Sequence, residues 1–223
     1  MTERIISLVI GYICGLFQTG YIYGRMNGID IRNYGSGNAG TTNTLRTLGA
    51  KAGAITFLGD CFKCLIAVLI AKAIFGKMHP ELTMVYGMYA AAGAILGHNF
   101  PFYLKFKGGK GIACTAGLIA SVNWVMIIIG LVCFLVPFLT THFVSLGSLL
   151  VYVGFVAGMI VMGQTGYLGV EPQYLPEIYV IAVLLAIMAF WKHKQNIVRL
   201  IHGEERKTYL TKKNKDGNDS AAK

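Results

Sequence analysis

Residues 34–46 read YGSGNAGTTNTLR, and Gly35, Gly37 and Gly40 keep the G-x-G-x-x-G spacing of a dinucleotide-binding turn. That fingerprint needs a strand before it, a helix after it and an acidic residue about 20 positions on. Here an apolar stretch of helical length precedes it, no second strand follows, and Asp60, the acidic residue in reach, lies inside the next apolar run. The context excludes a nucleotide fold. What survives is a composition suited to an oxyanion. Glycines let backbone N–H groups come close, Ser36, Asn38, Thr41, Thr42 and Asn43 add neutral donors, and Arg46 adds a fixed positive fork. A polar turn capping a helix would use the same residue types.

Residues 97–111, GHNFPFYLKFKGGKG, carry a second concentration of donors. They are not a P-loop, because Leu104 stands at the first Gly position and Gly111 at the Ser/Thr position. If the stretch is extended, Lys105 and Lys107 project to one side, and Gly108-Gly109 can present backbone donors between them and Lys110. Lysines alone would suit anionic lipid headgroups, but a lipid-attracting patch needs no bare backbone. A third segment, HKQNIVRLIHGEE, repeats His193, Asn196 and Arg199 on one helical face. Asp60 and Lys63, three apart in an apolar helix, are expected to pair. None of the histidines (79, 98, 142, 193, 202) is followed by Asp five positions later, and a G-x-S-x-G elbow is missing. Metal-ligand clusters and nucleophile–base pairs are not visible, so neither metal nor cofactor is expected.

The elements that must hold these residues are membrane helices. The chain has 223 residues, 55% hydrophobic and 13% charged, with mean hydropathy +0.57. Seven apolar stretches result: 5–23, 52–75, 82–99, a shorter one at 112–122, then 125–140, 143–164 and 178–191. Charge sorts the loops. Arg25, Arg32, Arg46 and Lys51, then Lys105, Lys107 and Lys110, then nine Lys or Arg from Lys192 onward, contrast with Arg4 and Lys77 on the other side. This bias predicts seven spans, the amino terminus outside and the carboxyl terminus cytoplasmic. The basic excess is thereby a topology signal, and no nucleic-acid partner is expected. The five cysteines sit in or beside apolar stretches and read as buried thiols. The fold class is all-α and polytopic, with one transmembrane catalytic domain over 1–205 and a disordered basic tail over 206–223.

Three runs resemble a single family. GSGNAGTTNTLRTLG, GHNFPFYLKFKGGKGIA and His193–Glu205 (H-x-x-N-I-x-R-L-x-x-G-x-E) are similar to the bacterial membrane acyltransferases that use acyl-phosphate to acylate glycerol 3-phosphate. Asp60 and Lys63 resemble the family's Asp-x-x-Lys, and VSLGS at 144–148 its further Ser-containing segment. The resemblance implies transfer to the 1-hydroxyl, giving 1-acylglycerol 3-phosphate (lysophosphatidic acid) and phosphate. It implies catalytic roles for Ser36, Arg46, His193 and Asn196. Substrate-binding roles would fall to Gly37, Asn38, Gly40, Thr42, Asn43, Lys105, Lys107, the Gly108–Gly111 loop with Lys110, and Ser145. Asp60, Lys63 and Glu205 would be structural. It further implies a bacterial plasma membrane, active-site loops in the cytoplasm and coupling to an enzyme that makes acyl-phosphate. A transporter of organic phosphates would spread its polar groups through the membrane depth, whereas these cluster in loops. A lipid-binding scaffold would explain the lysines but not Ser36, Arg46, His193 and Asn196 together.

Overall fold

A computed structural model describes residues 1–209, and among them every regular element is helical. The seven apolar stretches all become helix: α1 (Thr2–Gly15) with α2 (Thr19–Met26), α4 (Ala50–Phe75), α5 (Thr83–Asn99), α6 (Ile112–Val122), α7 (Trp124–Thr141), α8 (Val144–Gln164) and α9 (Leu175–Lys192). Two short amphipathic helices, α3 (Thr41–Leu48) and α10 (Lys194–Ile201), lie outside those stretches. Among the described residues five segments, counting Thr2–Met26 as one, are long and apolar enough to cross a membrane. With 11 residues, α6 rises only ~16 Å, about half the hydrocarbon thickness.

The first stretch is broken, contrary to the single span expected there. Helix α1 ends at Gly15 and α2 restarts after Gln18, whose buried Nε2 donates to the carbonyls of Gly15, Gly97 and His98 at 3.1, 3.3 and 3.1 Å. One amide thus satisfies orphan carbonyls of two helix ends, where water is scarce.

Helix α5 is the central post. Its run MYAAAGAILG is almost wholly buried, because small residues let α1 approach closely. A Cβ at Gly11 would stand 1.9 Å from the Ala90 carbonyl oxygen, and one at Gly93 would stand 2.0 Å from that of Leu8. Around this post Val68, Tyr86, Met88, Ile95, Leu118, Tyr152, Phe155 and Ile178 form the core. Helix α7 does the opposite. It keeps Ile128, Val132, Val136 and Leu139 on the surface, as a helix facing lipid does. At the bundle end away from the basic segments, Arg4 grips Glu177 through Nε (2.6 Å) and Nη2 (2.9 Å), and Tyr89 donates to the same carboxylate at 2.8 Å.

The tail begins differently from the expectation. Arg206 and Lys207 are exposed, but Thr208 is fully buried and its N–H donates to the His142 carbonyl at 2.9 Å. The expected disorder over 210–223 lies outside the described residues.

Candidate active site

The first donor loop is built around Asn43, a buried residue at the start of α3. Its Nδ2 donates to the carbonyls of Ile31, Tyr34 and Asn38 at 3.0, 3.0 and 2.9 Å, and its Oδ1 accepts from the Ser36 N–H at 2.8 Å. That consumes its donor capacity. Asn43 therefore shapes the loop, and it also lines the cavity. Gly35, at φ +58°, leaves room for this: a Cβ would lie 2.3 Å from Asn43 Oδ1. Asn38 folds its Oδ1 onto the Gly40 N–H at 2.9 Å, the turn that precedes α3. The loop thus presents Ser36, Gly37, Asn38, Gly40, Thr42 and Arg46 to a common cavity.

The second loop differs from its extended expectation. Lys105 and Phe106 adopt left-handed φ of 55° and 59° after a 3-10 turn over Phe102–Leu104, so the two flanking lysines are not an extended pair. Both are exposed and neither lines the cavity. Gly108 and Gly109 are buried, and their N–H groups donate to the carbonyls of Asn99 (3.3 Å) and His98 (3.0 Å). Helix α5 left those carbonyls unpaired at its end. These glycines are therefore not phosphate donors. They allow the close approach that delivers Lys110 and Gly111, which do line the cavity.

Lys110 is tied through Asn196 to Glu205. Its ammonium donates to Asn196 Oδ1 in a short contact, and Asn196 Nδ2 donates to Glu205 at 2.7 Å. Glu205 also accepts from Ser145 Oγ at 3.0 Å and from Arg199 Nε at 2.8 Å. Ser145 lines the cavity, but its proton is directed to Glu205, so it is not a free substrate donor. Burial pushes Lys110 down to about 8. His193, at the α9–α10 junction, turns Nδ1 to the Ala189 carbonyl at 2.8 Å. Burial first, and the Lys110 charge second, push it down to about 4. It is neutral at pH 7, with its Nδ1 proton directed to Ala189 and the Nε2 lone pair available.

Asp60 and Lys63 pair at 2.8 Å, and Lys63 Nζ also reaches His98 Nδ1 at 2.9 Å and the Phe17 carbonyl at 2.6 Å. Thr19 donates to Asp60 at 3.0 Å. The group lies directly under the Gly108–Gly109 bend, because His98 belongs to both.

The cavity has a volume of about 860 Å³ and two characters. One part is polar, with Arg46, Lys110, His193 and Asn196 on its wall. The first residues of four helices, Thr41 of α3, Ile112 of α6, Val144 of α8 and Lys194 of α10, also line it. Helix starts carry unpaired N–H groups and partial positive charge, a setting for anions. The other part is apolar, walled by Ile112, Ala116, Ile119 and Ala120 of α6, Ile127, Leu131, Phe134 and Leu135 of α7, and Val144 and Val151 of α8. Anion and hydrocarbon share one container.

Sequence reasoning missed several members. Thr41 was one neutral donor among many, yet its buried Oγ1 has no partner among the described residues. Lys192 donates to the Asn99 carbonyl at 3.2 Å and sits 4.7 Å over the Phe100 ring. His98 carried only its position before the Asn-Phe-Pro turn as a signal. The apolar wall could not be told from lipid-facing surface.

Such a fold and cavity define a multi-pass membrane protein whose cavity joins a cationic end to an apolar wall. The family model described as "Glycerol-3-phosphate acyltransferase" matches residues 5–203. The glycerol-3-phosphate acyltransferase of Clostridioides difficile (strain 630) is 39% identical over 209 residues, covering 91% of this chain and 94% of that protein. That of Thermotoga petrophila is 36% identical, covering 92% and 96%. A crystal structure of PlsY (YgiH), an integral membrane glycerol 3-phosphate acyltransferase in its glycerol 3-phosphate form, superposes with TM-score 0.77 at 28% identity, covering 92% and 96%. Its lysophosphatidic acid form gives 0.75 at 26% identity. The chain belongs to the glycerol-3-phosphate acyltransferase family.

Proposed function

We propose that this protein transfers an acyl chain from acyl-phosphate to the 1-hydroxyl of glycerol 3-phosphate. The products are 1-acylglycerol 3-phosphate and inorganic phosphate, and the reaction is the first step of membrane phospholipid synthesis. The observation that carries the reading is the single cavity that joins Arg46, Lys110 and four helix starts to apolar walls from α6, α7 and α8. The relatives' names add glycerol 3-phosphate as acceptor.

The chemistry is anhydride acylation. The hydroxyl oxygen forms a bond to the acyl carbon, the carbon–oxygen bond to phosphate breaks, and the hydroxyl proton leaves on the departing phosphate. Acyl-phosphate is already activated, so the protein's task is to bring two anions together and stabilise charge on the carbonyl oxygen and leaving group. Arg46 and Lys110 offset the repulsion, with Ser36, Asn38 and Thr42 as neutral donors. His193 accepts the hydrogen bond of the attacking hydroxyl and orients it. With its proton affinity depressed, it is a weaker base than phosphate, whose second ionisation lies near about 6. Asn196 ties Lys110 to Glu205.

The site faces the cytoplasm of a bacterial plasma membrane, where acyl-phosphate would be handed over by the enzyme that makes it. Supporting this, the basic segments 24–51, 98–111 and 192–206 converge at one end of the bundle, while Arg4 and Glu177 meet at the other. That arrangement suits seven crossings with the amino terminus outside. The deciding experiment is phosphate release by purified protein from palmitoyl-phosphate with and without glycerol 3-phosphate. Turnover only with acyl-CoA or acyl carrier protein would remove the donor assignment.

A further inference from the structure

We propose that Thr208, beyond the residues the family model matches, is a positioning residue that holds the Arg46 guanidinium in its substrate-binding orientation.

Residues 205–209 form a strap across the polar end of the cavity. Glu205 anchors it through Asn196, Ser145 and Arg199, and Arg206 Nη1 donates to the Gly35 carbonyl at 3.3 Å. The Thr208 N–H is held by the carbonyl of His142, whose own backbone is left-handed at φ 62°, and Tyr209 packs its ring 4.7 Å from the His142 ring. Thr208 is thus fixed from both sides and fully buried. Its Oγ1 accepts from Arg46 Nε at 3.2 Å and from Nη2 at 2.5 Å, and Nη2 also donates to the Arg206 carbonyl at 3.0 Å.

An arginine has five N–H donors in a rigid fork. The strap occupies Nε and Nη2, which leaves Nη1 as the edge without a partner among the described residues. Arg46 lines the cavity and Thr208 stands behind it, outside the lining. A flexible cation would otherwise have to be ordered when a phosphate arrives, and a guanidinium already locked along one edge avoids that cost. The strap reaches Arg46 by a hydroxyl and a carbonyl, so it orients the fork without neutralising it.

The inference rests on the reading that Arg46 binds substrate phosphate. In the full-length protein, Thr208→Val removes the acceptor at nearly constant shape and Thr208→Ser restores it. The expected result is a fall of at least about tenfold in kcat/KM for glycerol 3-phosphate in T208V, carried by KM, with T208S within about twofold of the parent. Added to Arg46→Lys, which has lost the fork, T208V changes kcat/KM by less than about twofold. If T208V accumulates poorly, Thr208→Ala takes its place in the same comparison. Unchanged kinetics in T208V, a gain in activity, a loss confined to kcat, a loss that T208S shares, or full additivity with R46K would overturn the inference. An Arg46→Ala protein with normal activity would instead overturn the role of Arg46 itself.

Discussion

A methyl group on Gly109 would stand 1.9 Å from Nε2 of His98, so the loop that delivers Lys110 packs directly on the edge of a buried histidine. One residue earlier, a methyl on Gly108 would stand 2.0 Å from the His98 carbonyl oxygen. Both substitutions to Ala should abolish activity by displacing Lys110, although neither removes a phosphate donor. They differ in rescue. A side chain can yield and a backbone carbonyl cannot, so His98→Ala should restore part of the activity of G109A and none of G108A. Equal rescue of both, measured as kcat/KM, would contradict this packing.

Lys63 and Asp60 are buried partners 2.8 Å apart, and removing one strands the other. Lys63→Met should lower stability by about 3–5 kcal/mol. The double variant Asp60→Asn/Lys63→Met should lose less than K63M alone, because no uncompensated charge remains. Thermal unfolding in detergent reads this. A double variant less stable than K63M would refute the pairing as the source of the cost.

Lys110 is held down to about 8 by burial, so the free enzyme loses its ammonium as pH rises through that value. If the charge binds phosphate, kcat/KM should fall on the alkaline side near pH 8. Lys110→Arg keeps its charge throughout. Its residual activity should lack that limb, and an identical limb in K110R would assign the titration elsewhere. His193 titrates near 4, below the phosphate ionisation near about 6, so it should add no limb above pH 5. His193→Ala should lower kcat/KM by about 10–100-fold, less than loss of a general base at full strength costs.

Gly130 of α7 packs against Ile119 of α6 in the wall of the apolar part of the cavity, and a methyl there would meet Ile119 Cδ1 at 3.2 Å. Gly130→Leu should therefore close the groove to long chains. With a sixteen-carbon donor, kcat/KM should fall at least about tenfold, while a ten-carbon donor should stay within about threefold. Equal losses for both would argue that the chain lies elsewhere.

The helices were legible because hydrocarbon demands long apolar runs and internal backbone pairing, a constraint that acts locally on sequence. The break at Gln18 was not, since its amide answers carbonyls of Gly97 and His98, some 80 residues away. The donors Ser36, Arg46, Lys110, His193 and Asn196 were legible by type and spacing, and they do share a cavity. Their division of labour was hidden. Asn43 and Gly108-Gly109 look like phosphate ligands in sequence, but their donors are taken by backbone carbonyls that only the folded loops bring near. Thr208 was hidden for a related reason: its segment has no apolar periodicity, and its order comes from His142 and Arg46 on other elements.

In the proposed reaction one cavity serves both an acyl-phosphate and glycerol 3-phosphate. The most direct test is inorganic phosphate released by the purified protein from palmitoyl-phosphate. Release that depends on glycerol 3-phosphate, matches lysophosphatidic acid formed mole for mole and vanishes in Arg46→Ala is the predicted result. Release independent of glycerol 3-phosphate, or lysophosphatidic acid formed only from acyl-CoA or acyl carrier protein, would contradict it.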